Sequence, residues 1–156
     1  MRLDLLTRAW SDSANSYVST LDGHGHLDAS LLLMPELGLI SPSDPRFLAT
    51  LAAIERELVV DGYVMRYRHD DDFGTPTNAF SVCTFWYVNA LALAGRQPEA
   101  VRHFETLLGR RNHVGLLSED IDPRTGELWG NFPQTYSLVG IIASAIRLSR
   151  PWEAAL

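Results

Sequence analysis

Two adjacent acids, Glu119 and Asp120, stand in the stretch GLLSEDIDPRTGELWGNFPQ at residues 115–134. Leu116 and Leu117 lead into them, a turn at Asp122-Pro123-Arg124-Thr125-Gly126 follows, and Trp129, Gly130, Asn131, Phe132 and Pro133 come next. Acids held between apolar segments are candidates for raised pKa values and proton transfer. Aromatic side chains beside them offer flat faces for sugar rings. A second cluster lies at 61–78, where Arg66 and Arg68 stand beside Tyr63 and Tyr67 and precede Asp70, Asp71 and Asp72. It reads either as surface charge pairing or as an arginine and aromatics aimed at a polar ligand; a loop of that length is often functional. His24, His26 and Asp28 flank Gly25, but their spacing matches no familiar metal signature, and Asp28 is also placed to cap a helix. No metal or other cofactor is expected.

Composition narrows the classes. The chain has 156 residues, 46% hydrophobic and 21% charged, which suits one globular domain with a core. A net charge of -6 argues against nucleic acid and against an anionic membrane surface. The lone Cys83 rules out an internal disulfide and suggests a reducing setting. No apolar run approaches the roughly 20 residues of a membrane span. The opening MRLDLLTRAW is too charged for a signal peptide, so a cytoplasmic protein is expected. That opening also reads as the tail of a helix whose beginning is missing.

The elements that must position the acids are helical. The sequence predicts one or two turns over 2–9, a brief strand at Tyr17-Val18, and helices over 27–34, 45–60, 79–94, 98–110 and 133–149. Asp44 and Pro45 make a strong start for the second of these. Phe47, Leu51, Ile54 and Leu58 form its apolar stripe. Segments 79–94 and 136–148 are apolar nearly all round, so both are expected to be buried. Asn131 and Gln134 read as a capping box for the last helix. His103, among charges, is expected to be exposed. Buried-type and amphipathic helices alternate, which implies an inner and an outer layer with the long loops 61–78 and 111–132 on one face, where function usually lives.

Taken together, Leu27-Asp28-Ala29-Ser30-Leu31, Tyr63-Val64-Met65-Arg66-Tyr67, Cys83-Thr84-Phe85-Trp86, Gly115-Leu116-Leu117-Ser118-Glu119-Asp120 and Gly130-Asn131-Phe132-Pro133-Gln134 resemble the C-terminal part of glycoside hydrolase family 15, the bacterial glucoamylase, glucodextranase and trehalase-like proteins. The likeness runs from about Leu5 to Arg150. It implies an all-α fold, half of an (α/α)6 toroid, and hydrolysis of α-glucosidic bonds with inversion, in which one acid protonates the leaving oxygen and a carboxylate activates water on the opposite face. The family's base falls on Glu119. Asp120 becomes its neighbour, and Arg66, Tyr67, Trp86, Trp129 and Gln134 join Asp120 as the implied sugar-binding residues.

Three departures accompany the likeness. Thr75-Pro76-Thr77-Asn78 stands where the family usually has an acid, and Leu138 where it has a histidine. The family's general acid lies upstream of anything present. Residues 1–156 are therefore expected to form a single truncated (α/α)6-type fragment, completed by a second copy or by a complementary half-barrel. The ligand expected is an α-glucoside or another small molecule. The alternative is a repurposed paralogue, a dimeric helical protein with a different reaction or ligand in a cavity lined by Phe80, Phe85, Trp86 and Tyr136.

Overall fold

The computed structural model describes residues 2–21, 25–72 and 74–149. His24 therefore lies outside the described residues. Helix α1 (Arg2–Arg8) leads into a two-residue ladder, β1 (Trp10–Ser11) against β2 (Ser16–Tyr17). A 3-10 turn at Ala29–Leu33 replaces the expected helix over 27–34, with Asp28 accepting from the Ser30 N–H as its cap. Helix α2 (Pro45–Leu58) begins as read, the Asp44 side chain accepting from the Arg46 N–H and Pro45 at the first position. It ends two residues early because Val59–Val60 (β3) turns back through Asp61 and Gly62 onto Tyr63–Val64 (β4). Both turn residues have positive φ, 49° and 87°, which glycine adopts freely and Asp tolerates in a tight hairpin.

Strand β5 (Ala79–Phe80) precedes α3 (Ser81–Leu93), and α4 (Gln97–Leu108) follows across Gly95. Strands β6 (Asp120–Ile121) and β7 (Leu128–Trp129) extend β5 into a three-stranded antiparallel sheet ahead of α5 (Thr135–Ser149). The ladders are only two residues long and tie the loops to helix ends. The layout remains helix-rich, with α3 packed against α4, α5 and the 3-10 turn.

As its composition requires, α3 is the centre of the core. Val82, Cys83, Phe85, Val88, Ala90 and Leu91 are all buried on it. Amphipathic α4 packs directly on it, while α2, also amphipathic, packs on β2 and the 3-10 turn. Helix α5 departs from expectation. Its buried residues are Ser137, Gly140 and Ser144, while Tyr136, Val139, Ile142 and Ile146 are exposed at 64%, 55%, 61% and 49%. The small face is the one that meets α3: a Cβ on Gly140 would overlap the Phe85 ring, and the Ser144 hydroxyl donates to Asn89 Oδ1 at 3.0 Å. The apolar residues of α5 thus fall on two faces, a small one packed on α3 and a larger one exposed. His103 is also corrected. It is half-buried, its Nδ1 3.2 Å from the Gly62 carbonyl and its ring edge-on to Tyr87, and burial pulls its pKa down.

Candidate functional site

Glu119 is fixed through its backbone before its side chain is considered. Its carbonyl accepts from the N–H of Ser81, the first residue of α3, at 2.8 Å, and its own N–H donates to the Asn131 carbonyl at 2.9 Å. The 111–132 loop is therefore tied to the N-terminal end of the most buried helix. The Glu119 carboxylate turns back onto the same strand partner. Oε2 accepts from the Asn131 backbone N–H at 3.1 Å and from its side-chain Nδ2 at 2.8 Å.

Asn131 is accordingly not the helix cap. The last helix starts only at Thr135, beyond the reach of a cap at Asn131, and the Asn131 Nδ2 donates to Glu119 instead. Gln134 stands immediately before the helix. Its N–H donates to the Leu117 carbonyl at 3.1 Å and its carbonyl receives the Leu138 N–H at 3.2 Å. Ser137 completes the tie, donating from its hydroxyl to the Ser118 carbonyl at 2.8 Å.

Asp120 sits in β6, in register with Phe80 on one side and Trp129 on the other. Its carboxyl is pushed up to about 6, first by burial and then by the negative charge of Glu119. Both acids converge on Gly130, whose φ is +77°. A Cβ built there would lie 3.0 Å from Glu119 Oε2 and 3.5 Å from Asp120 Oδ2. Those two oxygens are thus no further apart than the sum of these distances. That sum is the lower edge of the roughly 6.5–9.5 Å across which inverting glycosidases hold acid and base.

Arg66 is held by Asp28, its Nε 3.0 and 2.9 Å from the two carboxylate oxygens, and its guanidinium lies 6.0 Å from the Trp86 ring centre. Asp28 thus has two tasks, cap and counter-ion, of which the sequence exposed only the first. With a side chain 40% exposed, Arg66 keeps donors for solvent or ligand. Arg66, Phe80, Trp86 and Tyr136 line a cleft of about 340 Å³ between the 3-10 turn, α3 and α5. Phe80 connects that cleft to the acids, because its backbone pairs with Asp120. Tyr67 points elsewhere: it stacks on His69 at 4.4 Å and its hydroxyl bonds to Asp71. Trp129 is 53% exposed on the strand opposite Asp120. Among the described residues no group of three His, Cys, Asp or Glu side chains is arranged to hold a metal, and no helix is long and apolar enough to cross a membrane.

Helices pack about one buried helix, with carboxylates and an Arg–Trp pair gathered near that helix's N-terminal end. The model of "Glycosyl hydrolases family 15" matches residues 3–146. The trehalase of Thermoplasma acidophilum is 43% identical over 146 residues, which cover 93% of this chain and 25% of that protein. The trehalase of Mycobacterium tuberculosis is 39% identical over 136 residues, covering 85% and 20%. A solved wild-type glycosidase superposes with a TM-score of 0.79 at 25% identity, over 95% of this chain and 42% of that one. The chain belongs to glycosyl hydrolase family 15. It spans about a quarter of the length of these trehalases.

Proposed function

We propose that this chain is the base-bearing part of an inverting α-glucoside hydrolase of the trehalase or glucoamylase type. Glu119 acts as general base and activates the attacking water. Arg66 and Trp86 bind sugar in the adjoining cleft, one offering N–H donors to hydroxyls and the other its ring face. Tyr67, Asp120, Trp129 and Gln134 complete the ligand surface at its margins, Tyr67 through rotation away from His69. The observation that carries this reading is a family match over residues 3–146 together with Glu119 anchored at both its backbone and its carboxylate. The repurposed-paralogue alternative has no comparable support, because the relatives at 39–43% identity are trehalases.

The opposing general acid is not Asp120, which stands beside Glu119 rather than across from it. We assign it to a companion helical half that packs on the exposed face of α5 and completes an (α/α)6 ring, with residues 1–156 forming one truncated unit of it in the cytoplasm. The 42% coverage of a glycosidase chain of the same fold supports that half-ring, and the apolar face supplies the surface for it. A symmetric pair of this chain is the other way to cover the face. Glucose release from α-glucosyl fluoride, which needs no opposing acid, measured for the full chain and for Glu119→Gln, tests the reading: turnover lost in the variant supports it, and turnover retained by the variant removes Glu119 from the mechanism.

A further inference from the structure

We infer that Gly130 and Asn131 act together as the positioning device for Glu119; this rests on Glu119 being the base. Asn131 sends two donors, its backbone N–H and its Nδ2, to one oxygen only, Oε2. Among the described residues Oε1 takes no hydrogen bond, so it is the oxygen available to a water. A carboxylate gripped at one oxygen cannot spin about its terminal torsion, and a general base must be held within hydrogen-bond reach of the proton it takes. Gly130 makes the grip possible. Its positive φ sends the chain back under the carboxylate, and its missing side chain leaves the space that Glu119 fills: a Cβ would meet Glu119 Oε2 at 3.0 Å and Glu119 Cβ at 3.1 Å, tighter than ordinary contact. The Glu119 N–H bond to the Asn131 carbonyl closes a ring that fixes the two residues relative to each other. Neither residue touches the reacting atoms; both act through Glu119.

The device is tested at two levels. In a pH titration of the 15N-labelled full chain, the Asn131 backbone and side-chain amide signals should move together with one midpoint, and Glu119→Gln should abolish that movement. Amide signals that ignore the carboxylate would overturn the clamp whether or not the chain is an enzyme. For the kinetic role, α-glucosyl fluoride is a suitable substrate, because fluoride leaves without protonation and the opposing acid is bypassed. Asn131→Ala should lower kcat by about 10–100-fold, the range seen when groups that orient a reacting ligand are lost, with KM nearly unchanged. Asn131→Asp, which sets a like charge against Oε2, should also move the acid limb of the pH–kcat profile upward. Equal losses in kcat and KM with an unmoved profile would reduce Asn131 to a structural tie. Absence of turnover in the wild-type chain would sink the hydrolase reading, and the kinetic role with it, while the amide titration still decides the clamp.

Discussion

Asp120 bears the electrostatic cost of the acid pair. Its carboxyl has an ordinary value of 3.8 and is raised to about 6 in the fold. Between those pH values the folded chain keeps a proton that the unfolded chain has released, so unfolding free energy falls as pH rises through the window and stays lower above it. Since one pKa unit is worth about 1.4 kcal/mol, and the group is only half-buried, Asp120→Asn should stabilise the chain by about 1–2 kcal/mol at pH 7.5 and by almost nothing at pH 4. Urea midpoints at the two pH values check this; equal gains at both would place the cause outside the carboxyl's charge. The acids and the Arg66–Trp86 pair were legible as residue types in a suggestive order. What the order of residues could not show was pairing across the fold. Asp28 with Arg66 and Asn131 with Glu119 are bonds between residues 38 and 12 positions apart, and each partner also had a plausible local task as a helix cap.

At the level of elements, the packing of α5 on α3 depends on small residues. Gly140→Ala places a methyl group against the Phe85 ring in the interior of the contact. Overpacking of this kind costs about 1–3 kcal/mol, so the melting temperature should fall by several degrees, and a variant that also shortens Phe85, Gly140→Ala with Phe85→Leu, should recover part of the loss. Asp44→Ala removes the one side-chain cap of α2 and should cost about 1 kcal/mol, read from the same thermal transition. Helix α2 was readable from its Asp44 cap, Pro45 start and apolar stripe, α3 from an apolar run closed by Gly95, and α4 from Pro98 in its first turn and an amphipathic pattern. The error at α5 has a definite cause. An all-round apolar helix does not say which of its faces packs on the rest of the fold; here the small-residue face meets α3 and the large side chains stay exposed.

For the whole molecule, that exposed face is the main consequence. Tyr136, Val139, Ile142 and Ile146 place large apolar groups on one side of α5, beyond the scattered single exposures normal for a folded surface. Val139→Asp with Ile142→Asp should lower the chain's association, read as mass by light scattering. It should leave the isolated chain's melting temperature within a few degrees, because neither residue is buried in it. If the wild-type chain associates, an unchanged mass in the variant would mean that the association does not run through this face. A mass of twice the chain would identify a symmetric pair; a single-chain mass would leave the face for a companion half. The central claim, that Glu119 is the base of an inverting reaction, is tested most directly by proton NMR of α-glucosyl fluoride hydrolysis. The account predicts β-glucose as the first product from the wild-type chain and no enzymatic release from Glu119→Gln. α-Glucose as the first product, or undiminished release by the variant, would contradict it.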